Sequence, residues 1–239
     1  MKRSQRLNLG GNKRISIRLR PNLKMNAIVN VMIMIASMMM TATSVVAMMT
    51  NGKVVGMKKI DIQAPADQLL RIVEEELGLY AYRDTLDLTK IGTQDYQDNY
   101  STYYGIGVAR KDEKWKAEYF GYMQKQVGNS RITFAEIMEH ISSISHKKEA
   151  SFASKMLATL NPDFPILDSN VANYLGFKYR SKSTEDCIEI YNELTKNVHA
   201  FLQTDDGARC VEEFNRMFPN FTDINPVKKI DLYLWKMGK

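Results

Sequence analysis

The spacing of apolar residues indicates helices along most of the chain. Phe152, Met156 and Leu160 recur four residues apart, the period of one helix face, which predicts a helix over 149–160. Asn161-Pro162 ends that helix, because proline has no N–H to donate and disfavours a helical residue before it. Alternating, strand-like patterns are scarce. We therefore expect an all-α fold.

The same period predicts further helices whose ends are marked by local signals. They cover residues 65–77, 110–126, 133–141, 183–201, 210–218 and 226–237. Thr133 with Glu136 predicts a capping box, and Ser183 and Asn225 are typical N-caps. Gly78 is expected to close the first helix.

Two stretches between these helices are expected to be non-helical. Asp205-Asp206-Gly207 predicts a turn and a helix cap. Residues 80–108 are rich in tyrosine and polar groups, which indicates irregular chain with one short helix at most. Their tyrosines suit either stacking on unpaired bases or half-burial with a wet hydroxyl.

A short apolar run, Pro165-Ile166-Leu167, separates two predicted helices at the centre of the chain. Asp168 follows as the N-cap of the second helix, because its carboxylate can accept from the free N–H groups of the first turn. Gly176 closes that helix. Asp168 therefore has two open interpretations, a helix cap alone or a functional acid beside a cleft.

This central segment resembles known proteins. Residues 149–171 match the pattern E-A-S-F-x-S-K-x-L-A-T-x-N-P-x-x-P-I-x-D-x-x-V of uncharacterised bacterial proteins, and 229–235 resemble their C-terminal helix. More remotely, residues 133–239 are similar to the helix-hairpin-helix DNA glycosylases, the superfamily of 8-oxoguanine DNA glycosylase. Those enzymes carry a hairpin ending in L-P-G-x-G-x-x-K-A, a helix, and a P-x-D-x-x-V stretch with the essential aspartate. The resemblance implies a compact glycosylase-like helical fold.

The resemblance also implies catalytic residues. Asp168 matches the family's aspartate and Lys148 matches its nucleophilic lysine, while Lys155 is a competing amine on the intervening helix. Where the family has a Gly-x-Gly hairpin, this chain has residues 144–147, Ile-Ser-His-Lys, without the glycines that bring backbone N–H groups to a DNA phosphate. The alternative is that both lysines are ordinary surface charges.

Charge bears on the choice of partner. Residues 1–24 hold eight of the 33 basic residues and no acidic one, which leaves 25 basic against 27 acidic residues in 25–239. The near-neutral charge of residues 25–239 disfavours strong non-specific binding to DNA, although a local basic patch is enough for weaker binding. The candidate phosphate contacts are Lys147, Lys178, Arg180 and Lys182, and their alternative is a solvated loop.

Cysteine and histidine usage indicates no metal and no cofactor. Cys187 and Cys210 lie in helical patterns without C-x-x-C spacing, so we expect reduced core thiols, and the three histidines are scattered. No Walker loop, G-x-G-x-x-G or G-x-S-x-G occurs.

The chain divides by composition into a basic tail (1–24), a hydrophobic segment (25–50) and a helical domain (57–239). Residues 27–49 hold 23 uncharged residues, enough to span about 30 Å of hydrocarbon. Three interpretations remain open: a membrane anchor of a single-pass protein, a signal peptide, or a misassigned start with translation beginning at Met48, Met49 or Met57. The last of these predicts a cytoplasmic protein.

Two functions of different classes remain. One is a DNA-acting, base-excision-type protein with Asp168 as its functional acid and DNA as its partner. The other is a non-catalytic helical module that binds a protein or nucleic acid and is membrane-anchored only if residues 27–49 are retained.

Overall fold

The computed structural model describes residues 56–65, 67, 76–180 and 182–239. Within them the chain forms nine α-helices, two short 3-10 turns at Leu88–Lys90 and Pro219–Phe221, and no strand. The helices are α1 (Glu76–Thr85), α2 (Gln94–Tyr104), α3 (Glu113–Lys125), α4 (Phe134–Ser145), α5 (Ala150–Leu160), α6 (Ser169–Leu175), α7 (Thr184–Leu202), α8 (Asp205–Met217) and α9 (Pro226–Met237). The all-α prediction is confirmed.

Local capping signals determine most helix ends. The capping box of Thr133 and Glu136 begins α4, and Ser183 forms a second box with Asp186 at the start of α7. The Asn225 side chain accepts from the backbone N–H of Val227, with Pro226 as the first residue of α9. These predictions are confirmed because each depends only on residues within one helical turn.

The tyrosine-rich stretch is more helical than its composition indicates. Tyr96, Tyr100 and Tyr104 recur four residues apart, so they share one face of α2, and that face is buried. The Tyr100 hydroxyl hydrogen-bonds the Tyr119 hydroxyl of α3 at 2.9 Å, and burial raises the pKa of Tyr100 well above its ordinary value. The expectation of largely irregular chain with wet hydroxyls was wrong, because tyrosine replaces aliphatic residues on the buried face.

Two predicted helix boundaries also differ from the structure. Gly78 lies inside α1 and does not close a helix there. The predicted turn at 205–207 is instead the first turn of α8, which Thr204 caps by accepting from the Gly207 N–H. Gly207 is buried against the end of α7, and this close approach explains a glycine within a helix.

Helix α9 lies at the centre of the packing. It contacts α6, α7 and α8, while α4 pairs with α5 and α1 pairs with α2. All eight residues from Val227 to Leu234 are buried, so α9 is enclosed on every side. That enclosure includes the charged residues Lys228, Lys229 and Asp231.

Several sequence predictions concern residues that the structure does not describe. The basic tail, the hydrophobic segment 27–49 and most of the predicted helix at 65–77 lie outside the described residues. Among the helices that are described, none is long and apolar enough to cross a membrane.

Two glycine substitutions should change stability in opposite directions. A Cβ at Gly207 would lie 2.1 Å from the backbone oxygen of Phe201, whereas one at Gly121, inside α3, meets nothing within 4 Å. Gly207→Ala should therefore lower the free energy of unfolding by roughly 2–3 kcal/mol. Gly121→Ala should raise it by roughly 0.5–1 kcal/mol, because alanine is the better helix former. Urea unfolding of the full-length protein measures both, and equal effects would contradict the packing of α7 on α8.

Candidate functional site

The run from Pro165 to Leu167 is buried without belonging to a helix, so its backbone polar groups need partners from elsewhere. Both carboxylate oxygens of Asp231 on α9 accept from the Ile166 N–H, at 3.1 and 3.3 Å. The Ser154 hydroxyl on α5 accepts from the Leu167 N–H at 2.9 Å, and the Tyr191 hydroxyl on α7 donates to the Pro165 oxygen at 2.9 Å. Side chains of three helices therefore hold this run in place.

The held run places Asp168 at the start of α6. Its Oδ1 accepts from the backbone N–H groups of Asn170 at 2.9 Å and Val171 at 3.0 Å, so the predicted N-cap is confirmed. Gly176 closes the helix in the left-handed region, with φ of 75°, which is also as predicted. Asp168 nevertheless borders open space as well as its own helix end.

An inner cavity of about 530 Å³ lies between α1, α2, α5, α6 and α9. Most of its lining is apolar or aromatic, from residues such as Leu79, Tyr103 and Trp235. Two lysines and two aspartates also line it, namely Lys155, Lys228, Asp168 and Asp231. An apolar cavity with a few convergent polar groups is the usual form of a small-ligand site.

An outer cavity of about 800 Å³ shares Lys155, Asp168 and Trp235 with the inner cavity. Its other lining residues include the basic side chains of Lys147, Lys148 and Arg180. It also includes Val108, whose side chain is 89 % exposed. Lys155 and Asp168 therefore stand between an apolar inner space and a basic outer one.

The Lys155 ammonium is held by the backbone at the end of α2. Its Nζ donates to the Tyr104 oxygen at 3.0 Å and lies 5.3 Å from the centre of the Phe152 ring. Burial lowers the pKa of Lys155 below its ordinary value; the Asp168 carboxylate opposes that shift, and the nearby positive charge of Lys228 adds to it. A lysine in this environment loses its proton more readily than one in water.

The other predicted amine, Lys148, is placed differently. It is exposed, and its Nζ donates to the Lys182 oxygen at 2.7 Å. It lines the outer cavity but not the inner one. The structure therefore brings Lys155, rather than Lys148, to the inner cavity beside Asp168.

The candidate phosphate contacts are divided by the fold. Lys147 and Arg180 line the outer cavity. Lys178 is exposed and lines neither cavity, and Lys182 contributes its backbone oxygen to Lys148.

Sequence reasoning did not identify two ionisable residues of the site, Lys228 and Asp231. Asp231 is 3 % exposed, and burial raises its pKa to about 8, although the Lys228 charge and the Ile166 N–H oppose that shift. At neutral pH this carboxyl is therefore largely protonated. The sequence signal was a lysine and an aspartate three residues apart, hence on one face, in a helix that also carries Lys229 and Lys236.

Comparisons with known proteins leave the site to be interpreted on its own geometry. No protein-family model, no curated protein and no solved structure matches this chain. In the part of the chain that the structure describes, no three His, Cys, Asp or Glu side chains come together in a way that could hold a metal ion.

The buried carboxyl should make stability depend on pH in a predictable direction. Asp231 holds its proton up to about pH 8 in the folded state, against an ordinary pKa of 3.8. The folded state then binds one more proton than the unfolded state, so stability falls as pH rises from about 4 to about 8. Asp231→Asn should remove this contribution, so its free energy of unfolding relative to that of the wild type should rise by up to about 1.4 kcal/mol per pH unit.

Urea unfolding of the full-length protein at a series of pH values measures the difference between the two proteins. Asp98→Asn, at an exposed position on α2, is the control and should run parallel to the wild type. A constant difference between Asp231→Asn and the wild type across this window would show that the Asp231 carboxyl is ionised in the folded protein.

Substitutions at Asp168 should distinguish the contribution of its accepting oxygen to stability from the contribution of its negative charge. An asparagine at this position would still offer an oxygen to the N–H groups of Asn170 and Val171, so Asp168→Asn should leave the free energy of unfolding nearly unchanged. Asp168→Ala leaves both donors unpaired and should cost about 1 kcal/mol. Thermal unfolding measures both, and equal losses would mean that the charge, not the cap, stabilises α6.

Proposed function

We propose that this protein acts on DNA as a base-excision enzyme that takes a nucleotide into the inner cavity. The observation that carries the proposal is the meeting of an amine and a carboxylate at the mouth of that cavity. Lys155 has a lowered pKa and Asp168 is fixed beside it by its helix cap. A glycosylase that forms a covalent intermediate needs these two groups, a nucleophile for the sugar carbon and an acid–base partner.

The two cavities suit the two parts of a nucleotide. A flipped base needs stacking surfaces and a water-poor space, which the aromatic lining of the inner cavity supplies, including Tyr103 and Trp235. The DNA backbone needs cations at the entrance, where Lys147, Lys148 and Arg180 line the outer cavity. The division supports a base inside and phosphates outside.

The exposed tip of the α2–α3 connection supports the same orientation. Val108 is 89 % exposed beside the outer cavity. An apolar side chain at such a position is suited to enter a base step and fill the space that an extruded nucleotide leaves.

The connection between α4 and α5 agrees with the resemblance to helix-hairpin-helix proteins. Four residues, from His146 to Glu149, join the two packed helices, and His146 has φ of 54° in the left-handed region that glycine usually occupies. Without the family's glycines, Lys147 and Lys148 would contact phosphate through their ammonium groups instead of through backbone N–H groups.

The reaction follows from the two groups. Neutral Lys155 Nζ attacks C1′ of the nucleotide, the glycosidic bond breaks, and the base leaves with the bonding electron pair and takes up one of the two amine protons. The surplus proton of the amine passes through Asp168 to the sugar ring oxygen as the ring opens, which leaves an imine between Lys155 and C1′. The Asp168 carboxylate also stabilises the positive charge that develops on the sugar.

The imine makes the proposal testable by trapping. The full-length protein, incubated with borohydride and duplexes that each hold one oxidised, deaminated or alkylated base, should form a covalent adduct on at least one of them. Lys155→Gln should abolish the adduct, whereas Lys148→Gln should retain it because that ammonium lies outside the inner cavity. Asp168→Asn should keep the fold and lose most of the rate. Denaturing gels measure the adduct.

The controls separate the possible failures. Lys114→Gln, at an exposed position on α3, should form as much adduct as the wild type. Loss of the adduct in Lys148→Gln but not in Lys155→Gln would reverse the assignment of the nucleophile. Absence of adduct and of alkali-revealed strand cleavage on every duplex would contradict excision.

A non-catalytic module that binds protein or nucleic acid is the second candidate. The observation that favours it is the ordinary cap geometry of Asp168, whose oxygen already accepts from two N–H groups. This alternative predicts DNA or protein binding that Asp168→Asn and Lys155→Gln leave intact, with no adduct from the wild type.

A further inference from the structure

Lys228 is the most unusual cation of the inner cavity. It lies on the buried helix α9 and is 7 % exposed, yet it lines the cavity. Its Nζ lies 4.9 Å from the centre of the Tyr82 ring and 5.4 Å from that of Tyr103. Two aromatic faces therefore hold the ammonium from the sides.

The Lys228 ammonium has donors to spare. Among the described residues it makes no hydrogen bond and no ion pair within 4 Å, and its contacts are the two rings and the charges around it. The Nζ atom is accessible from the cavity and not enclosed by protein. An acceptor atom supplied by a ligand would satisfy it.

Asp231 completes a pair of polar groups at the same wall of the cavity. It lies three residues after Lys228, so both side chains project from one face of α9. Both side chains line the inner cavity, so a ligand in that cavity can contact both. The Ile166 N–H occupies only part of the accepting capacity of the carboxyl.

We propose that Lys228 and Asp231 form a specificity subsite that selects bases with a lactam edge, in which a carbonyl oxygen accepts from Lys228 and the adjacent N–H donates to the carbonyl oxygen of the Asp231 carboxyl group. The subsite rests on the proposed function, since it assigns the class of base that the inner cavity accepts. Uracil, hypoxanthine and guanine-type bases present such an edge.

The same pair disfavours bases with an amino group at that position. An ammonium has three donors and no acceptor, so an exocyclic amino group facing Lys228 would leave two donors opposed. Adenine and cytosine present that amino group where hypoxanthine and uracil present an oxygen. Discrimination by a good pair of hydrogen bonds corresponds to about tenfold or more in affinity.

Free nucleosides test the subsite without requiring excision. Isothermal titration of the full-length protein with deoxyinosine and deoxyadenosine compares ligands that differ mainly at this edge. Deoxyinosine should bind about tenfold more tightly. Lys228→Met preserves the length of the side chain and removes the donor, so the affinity ratio should fall toward one. Asp231→Asn should also abolish the preference, because its oxygen accepts from Ile166 N–H and its amino group faces the lactam N–H.

Lys114→Gln is the matched control, since it removes an exposed lysine on α3, and it should keep the wild-type ratio. Equal binding of the two nucleosides by the wild type, binding of neither, or an unchanged ratio in Lys228→Met would each overturn the subsite. The ratio of the two nucleoside affinities in the wild type tests the subsite even if a variant fails to fold.

The outcome is separable from that of the trapping experiment. A trapped adduct together with equal affinities for deoxyinosine and deoxyadenosine would support excision and reject the subsite. A lactam preference with neither an adduct nor alkali-revealed strand cleavage would support the subsite and reject excision.

Discussion

The structure depends on how a buried, non-helical run of three residues satisfies its backbone. Asp231, Ser154 and Tyr191 reach Pro165–Leu167 from three different helices, and each supplies a hydrogen bond that the run cannot make with itself. Loss of any one would leave a buried polar group unpaired, at a cost of about 1–3 kcal/mol. The position of Asp168 is therefore set by the packing of α5, α7 and α9 together.

The same arrangement explains why a carboxyl group is tolerated at the centre of the domain. Asp231 is enclosed on α9, and burial favours its protonated form despite the neighbouring Lys228. A protonated Asp231 leaves the cations of the inner cavity under-compensated, with Asp168 as the remaining carboxylate of that lining. A core designed for stability alone would avoid this combination, which is why the cavity is the strongest candidate for function.

The distribution of charge limits how such a site would contact DNA. Residues 25–239 carry slightly more acidic than basic residues, so no broad cationic face is expected to grip a duplex. The basic side chains of Lys147, Lys148 and Arg180 lie at the outer cavity instead. Local contacts around one extruded nucleotide suit this distribution better than extended binding along a strand.

The sequence by itself determined the features that depend on residues close together in the chain, namely the helix caps and most of the helices. The caps at Thr133, Asp168, Ser183 and Asn225 were predictable because each side chain bonds the backbone two or three residues on. The four-residue spacing of aliphatic side chains likewise predicted most helices. The period in α2 was missed because its buried face consists of tyrosines, whose hydroxyl groups pair across helices.

Only the tertiary structure decided which charged residues meet. The sequence does not distinguish Lys155 from Lys148 as a candidate amine. Only the packing of α5 against α2 places Lys155 beside the inner cavity. Asp231 and Ile166 lie 65 residues apart, so no local pattern could pair them. Lys228 and Asp231 are buried because other helices pack around α9 on every side. The spacing of apolar residues in a sequence shows which face of a helix packs on the core, but it does not show whether the opposite face is also covered.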